Sequence, residues 1–286
     1  MTNPLMAFQP HERIFVNLPT GGKFYAEGVI DLSEGPEIGV KPMSAKDEMM
    51  LHNPDALMNG RAVTTVIKNC VPKVLLPQHL AVSDVEAILL AIKLASNEES
   101  YDINTKCPEC KKEGAFSRDI DYLLQTITFH KDEYMFELDN GLVIYLKPNT
   151  WVSHSRLQQV AFRQQRLVAV AQDDSITDQE KQDIFSKVFD EMIDLNMDLV
   201  SDCIAYIQTP NGDVTDVKYI REYIDTLTKK ELDELGVIVE SINSTGVEHS
   251  MDVCCSSCQH EWTIEGLRFD PSYFFAQNFS SHRPKK

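Results

Sequence analysis

Cysteine is the residue type whose spacing in this chain most directly specifies chemistry. Cys107-Pro108-Glu109-Cys110 and Cys255-Ser256-Ser257-Cys258 share the CxxC interval. A two-residue gap lets one tight turn aim two thiolates at a single ion, at about 2.3 Å each for Zn²⁺, and two such turns complete a tetrahedron. Paired CxxC turns usually lie about 15–20 residues apart, whereas the interval here is long enough to be a domain. The matching surroundings offset that departure. Residues 101–106 lead into the first knuckle and 114–120 leave it in alternation; residues 247–253 enter the second and 261–265 leave it.

The expectation is one structural zinc held by Cys107, Cys110, Cys255 and Cys258. Cys254 and His260 are possible substitute ligands, but the CxxC register favours Cys255, because a CxxxC pair starting at Cys254 fits the tight turn less well. The competing reading is redox-active cysteine, which would open a helix inside a βαβ unit; neither knuckle has that setting. A zinc with four thiolates keeps no open position for water, so its role is structural rather than hydrolytic.

The elements that must position these turns follow from the pattern along the chain. Residues 1–42 read as an N-terminal β region, with a strand over 14–18, a turn at Pro19-Thr20-Gly21-Gly22 and a return over 23–25. That Gly-Gly turn is no phosphate loop, since no GxxxxGK[ST] pattern follows it. Residues 43–100 read as helical. Ser44 caps one helix with Asp47 three positions on, a second runs from Ala56 to before Pro72, and Ser83-Asp84 opens a third with Ile88, Leu89, Ile92 and Leu94 buried. Met43, Met49, Met50 and Met58 read as core filling more than as a docking surface.

Residues 101–127 form the first half of the ribbon. Residues 128–150 form a hairpin about Asp139-Asn140-Gly141, with a type I′ turn at Asn-Gly. Residues 151–246 read as an inserted bundle of about four helices. Their signals include a Thr177/Glu180 capping box, an apolar face from Ile184 to Ile204, a turn at Pro210-Asn211-Gly212-Asp213 and a cap at Thr228. The acids Asp173, Asp174, Asp190, Glu191, Asp194, Asp198 and Asp202 are read as a solvated face, because no Glu-x-x-His pair accompanies them. Residues 247–286 hold the second half of the ribbon and an aromatic tail, Leu267 to Phe275, which either anchors a partner or seals the ribbon. The fold class is therefore α+β, a split Cys₄ zinc ribbon with a helical bundle inserted between its two CxxC hairpins.

At 286 residues with a formal charge of −17, the chain has room for two domains and little means of gripping nucleic acid without sequence preference. Only Arg283-Pro284-Lys285-Lys286 is locally basic, a solvated tail. Seven cysteines, four of them in CxxC pairs, suit a reducing compartment and a metal better than a disulfide framework. No run of about 18 apolar residues occurs and the first residues carry no signal-peptide pattern, so the expectation is a cytoplasmic protein away from membranes. There is no GxSxG elbow and no HExxH helix, and the eight histidines are scattered. The reading is a non-enzyme. A zinc-ribbon module for nucleic acid or a transcription machine is the alternative, and the charge weighs against it.

Leu18-Pro19-Thr20-Gly21-Gly22-Lys23-Phe24-Tyr25, then Met43-Ser44-Ala45-Lys46-Asp47-Glu48 with Asn59-Gly60, then Tyr101 ahead of Cys107-Pro-Glu-Cys110, together resemble the baseplate hub family of contractile-tailed bacteriophages. The resemblance spans roughly residues 13–125 and resumes around 253–276. It implies a hub subunit or hub-assembly factor that binds other baseplate and hub proteins, with the tape-measure protein a further candidate. It places the chain in the host cytoplasm during assembly, and in the tail baseplate if it stays in the virion. The family's knuckles fall on Cys107, Cys110, Cys255 and Cys258, and it brings no catalytic residues.

Overall fold

The structure, a computed structural model, describes residues 8–51, 53, 56, 60–160, 177–267 and 269. The chain divides into two compact units, one formed within Met1–His130 and Thr245–Lys286, the other within Lys131–Ser244.

In the first unit, β1 (Ile14–Asn17) buries Val16 and turns Phe15 outward, as a strand with one covered face does. It pairs antiparallel with β2 (Glu37–Val40), in the register Ile14↔Val40 to Asn17↔Glu37. The return strand expected over 23–25 is therefore displaced to 37–40. Gly21, Gly22 and Phe24 all take positive φ, at 62°, 80° and 68°, which breaks any extension there. Side chains hold that turn to the core. Thr20 N–H and Oγ1 donate to the Asp84 carboxylate at 2.9 and 2.6 Å, and Tyr25 Oη donates to it at 2.5 Å while accepting from Ala81 N–H.

Helix α1 (Ala45–Leu51) begins where Ser44 predicts. Asp47 N–H donates to Ser44 Oγ, and the Asp47 carboxylate accepts from the Ser44 N–H and hydroxyl. Met49 stands 72% exposed, against the core-filling expectation; Met58 lies outside the described residues. Helix α2 (Arg61–Cys70) starts after Gly60, whose φ of 70° sets the entry; Ala56, the expected start, is itself helical, and residues 57–59 lie outside the described set. Helix α3 (Val82–Ala95) is buried almost all round, so it is the central rod of this unit. Its Ser83 and Asp84 do not cap it; Ser83 Oγ instead lies 3.0 Å from His130 Nε2, both buried. Burial pushes the His130 imidazole down to about 4, so it is a neutral, satisfied core residue.

From α3 the chain enters β3 (Ser100–Lys106) and β4 (Glu113–Asp119), then α4 (Ile120–Gln125), capped by Asp119. It returns to this unit through β9 (Ser250–Cys254) and β10 (Glu261–Glu265). Thr128 N–H donates to Gly246 O and Gly246 N–H to Thr128 Oγ1, both at 2.9 Å, so departure and return lie side by side.

The second unit is built on an antiparallel sheet in the order β5 (Tyr134–Glu137), β6 (Val143–Leu146), β7 (Ile204–Thr209), β8 (Gly212–Val214). Residues 151–160 are helical, followed later by α5 (Asp178–Asp202), α6 (Val217–Ile224) and α7 (Lys229–Asn243). The segment expected to be all helical thus contributes two strands, and α5 stops at Asp202, short of Ile204. Ile144, Leu146, Ile204 and Ile207 on one sheet face pack with Ile220, Ile224, Leu235 and Ile242 of the helices into one core.

The β5–β6 turn also differs from expectation. Leu138 N–H donates to Leu142 O and Gly141 alone takes positive φ, 81°, which makes a three-residue loop ending in a glycine bulge rather than a type I′ turn. Thr228 does cap α7 through a full capping box with Glu231. The helix expected to continue past residue 160, and the Thr177/Glu180 box, involve positions outside the described residues or side chains.

The acidic series is not simply solvated. Arg221 of α6 donates to Asp194 and Asp198 of α5, at 3.5 and 2.8 Å, and to Asp225 at 3.2 Å. The carboxylates are half exposed or more, so solvent screens each pair. Removing Arg221 nevertheless leaves three acids without their shared counter-charge. Arg221→Met is expected to lower stability by about 1 kcal/mol, with the loss shrinking in urea titrations run at high salt; an equal loss at all ionic strengths would assign the arginine a packing role instead.

Candidate metal centre

The two knuckles are copies of one local structure. In the first, Cys107 N–H donates to Lys112 O and Lys111 N–H to Cys107 O; in the second, Cys255 N–H donates to His260 O and Gln259 N–H to Cys255 O. The residue after the second cysteine is left-handed in both, Lys111 at φ 62° and Gln259 at φ 58°. Each turn is mounted on a two-stranded sheet, β3–β4 in the register Ser100↔Asp119 to Lys106↔Glu113 and β9–β10 in the register Ser250↔Glu265 to Cys254↔Glu261. The hydrogen bonds and the left-handed residue force the chain back on itself within the CxxC interval. Both sulfurs of each pair therefore point the same way.

The structure brings together the four cysteines singled out by spacing. The Sγ atoms of Cys107, Cys110, Cys255 and Cys258 all lie within 4.8 Å of one another. Cys107 faces Cys258 at 3.7 Å and Cys110 faces Cys255 at 3.7 Å. Those separations are too long for disulfides, whose sulfurs sit about 2.0 Å apart. They match the edge of a tetrahedron with metal–sulfur bonds of about 2.3 Å, roughly 3.8 Å. Cys107 and Cys255 are buried, while Cys110 and Cys258 reach the surface. Cys254 lies on the exposed side of β9 with its sulfur 3.9 Å from Gln259 Oε1, outside the group. His260 stacks on Trp262 with ring centroids 6.0 Å apart and contributes its carbonyl, not its imidazole, to the knuckle.

Electrostatics explain why such a cluster calls for a cation. The backbone N–H groups of Cys258 and Ser257 donate toward the Cys255 sulfur and hold its thiol down at about 6. The His260 N–H does the same for Cys258, but loss of solvent and the neighbouring sulfurs of Cys255, Cys110 and Cys107 outweigh it and push that thiol up to about 12. One thiolate is favoured and the next is opposed by it. A divalent ion removes the opposition. Soft thiolate donors in a tetrahedral group suit Zn²⁺ over oxygen-seeking cations, so the residues present fit the group.

One strand of each hairpin carries its packing: Tyr101 and Ile103 of β3 and Met251 and Val253 of β9 are buried. No residue of β4 or β10 is fully buried. Between the hairpins, Phe116 meets Trp262 edge to face at 5.3 Å and Arg118 bonds Glu248 at 2.8 Å. The aromatic stretch after β10 contributes through Leu267 and Phe269, both buried, with Phe269 lying 5.1 Å from Tyr101 and 5.5 Å from His249. These two positions seal the ribbon; residues 268 and 270–275 lie outside the described set. His249, one of the scattered histidines, also meets the Glu86 carboxylate of α3 at 3.1 Å, a pairing with no sequence signal because the partners are far apart along the chain. Among the described residues, no helix is long and apolar enough to cross a membrane.

No curated protein and no solved structure matches the chain. A family model described as "T4 bacteriophage base plate protein" matches residues 12–276, a span that takes in both knuckles and both units. Over nearly its whole length, then, this chain belongs to the T4 bacteriophage base plate protein family.

Proposed function

We propose that the chain is a subunit or assembly factor of the baseplate hub, working by protein–protein binding, with one structural zinc held by Cys107, Cys110, Cys255 and Cys258. Membership of a baseplate family supplies the setting, the phage tail and its other proteins. The hub is the finer reading, and it draws on the Leu18–Tyr25 and Met43–Glu48 blocks. The observation that carries the zinc is the gathering of four sulfurs between two small hairpins, each with one strand, β4 or β10, that has no buried residue. Zinc there would act as a staple and leave no position for a substrate. The partners are other hub and baseplate proteins, with the tape-measure protein among the candidates. The protein works in the host cytoplasm while tails assemble and, as a subunit, takes its place in the tail baseplate. Nucleic acid is not expected among its ligands, given the charge of −17.

Cross-linking of a tagged chain in infected cells, followed by identification of the attached proteins, tests the hub. Baseplate hub proteins should dominate the products. Recovery of the chain alone, or only with proteins outside the tail, would refute the reading. Metal analysis of the same preparation should return one zinc per chain.

A further inference from the structure

One face of the four-stranded sheet is covered by α6 and α7; the other has a composition of its own. The cross-strand register places Met135, Tyr145 and Tyr206 in a single row across β5, β6 and β7, all on the face opposite Ile144 and Ile207. With strands about 4.8 Å apart, the row spans about 10 Å. Met135 is 63% exposed. The two tyrosine rings stack with centroids 4.3 Å apart and planes 15° from parallel, so each gives one face to the other and offers a ligand only its outer face. The neighbouring row reads Glu137, Val143, Gln208, Asp213, with an exposed acid on each edge strand. Glu133, just before β5, is exposed as well, and the charges of Glu133 and Asp213 reach Tyr206. Lys147, two residues past Tyr145, is outnumbered by these carboxylates.

An exposed thioether and a pair of stacked phenols set among carboxylates form a receptor for a cation with a flat or apolar body. Guanidinium fits best, because it stacks on aromatic faces while its N–H groups reach carboxylates. A second copy of this chain is a poor occupant, since it would bring the same acids and a charge of −17 to the contact. We propose that this sheet face binds an arginine-bearing basic segment of another tail protein, with its side chains stacked on the outer faces of the Tyr145–Tyr206 pair between Glu137 and Asp213. The partner class rests on the protein-binding reading above. The test needs no tail protein, so failure here leaves hub membership standing, and failure of the cross-linking leaves this surface standing.

The probe is acetyl-tetra-arginine amide titrated into the full chain carrying ¹³C-labelled tyrosine, with acetyl-tetra-glutamate amide as the opposite-charge control. Shifts should concentrate on the Tyr145 and Tyr206 rings for the arginine peptide and be absent for the glutamate one. Tyr145→Ala/Tyr206→Ala should weaken binding about tenfold, at roughly threefold or more per aromatic ring. Glu137→Gln/Asp213→Asn, which leaves the packing untouched, should weaken it more than Asp190→Asn/Glu191→Gln, the same charge change made on α5. Unchanged affinity in the tyrosine variant, or equal losses in the two charge variants, would show diffuse attraction to an acidic protein and overturn the proposal.

Discussion

A chain carrying Cys107→Ser is expected to purify without stoichiometric zinc and to lose more than about 3 kcal/mol of stability in its ribbon. Structural zinc contributes roughly 10–16 kcal/mol of apparent binding free energy in small zinc-finger peptides, and an oxygen in place of one thiolate forfeits a large part of that. The damage should be local at first. Trp262, which packs between Phe116 and His260, reports on the ribbon, whereas Trp151 lies in the other unit. Chelation of the unsubstituted protein should move the Trp262 signal in the same direction. The informative control is Cys254→Ser. Its sulfur stands outside the group, so zinc content should stay at one per chain and stability within about 0.5 kcal/mol. Loss of zinc from the Cys254 variant, or retention by the Cys107 variant, would contradict the ligand set.

Asp84→Ala should cost about 3 kcal/mol by a different route. The carboxylate is fully buried and accepts three hydrogen bonds, from Thr20 N–H, Thr20 Oγ1 and Tyr25 Oη. Alanine leaves those donors without a partner, at about 1–3 kcal/mol for a buried group left unsatisfied. Burial raises the Asp84 carboxyl from 3.8 to about 6, and the donors from Thr20 and Tyr25 pull it down without cancelling that rise. A native value above the unfolded one means that the folded protein holds the proton more tightly. The contribution of Asp84 is therefore fully present below about pH 4 and is lost as pH rises through about 6. Measured as the difference between the unsubstituted chain and Asp84→Asn, which cannot titrate, stability should fall by about 2 kcal/mol between pH 4 and pH 7, out of about 3 kcal/mol over the whole titration. Parallel pH curves for the two proteins would show that the carboxylate is as well solvated by its donors as by water.

The contrast between these two positions shows what is readable in the sequence. The four-cysteine group was legible because each half is local; four residues fix a turn, the turn fixes two sulfurs, and flanking alternation marks the strands that carry it. The Ser44 and Thr228 caps were legible for the same reason. Asp84 reads as an ordinary acid opening a helix, because Thr20 and Tyr25 reach it only after the Gly21-Gly22 turn has been folded onto α3. The missed strand β7 has a sharper cause. The β6–β7 register shifts between Tyr145 and Leu146, so that Leu146 meets Ile204 while Tyr145 meets Tyr206. That irregularity puts Ile204 and Ile207, three residues apart, on the same covered face. Three is a helical interval, and two isoleucines at that spacing after α5 read as another turn of it. The aromatic row on the sheet face opposite the helices was hidden too, since Met135, Tyr145 and Tyr206 become neighbours only when the sheet forms.

The order of the knuckles along the chain also governs when the clasp can close. A ribosome delivers Cys107 and Cys110 first, then all of Lys131–Ser244, and only afterwards Cys255 and Cys258. At about 5–20 residues per second, the leading thiols wait on the order of ten seconds or more for their partners. Closing so long a loop as open coil is entropically costly. The second unit has its own core, and its two ends emerge beside the Thr128–Gly246 hydrogen bonds, so folding it first shortens the effective loop to a few residues. A nascent chain interrupted before the second knuckle therefore carries only one pair of the four cysteines, and a metal held by all four would mark a molecule whose translation has passed the whole insert.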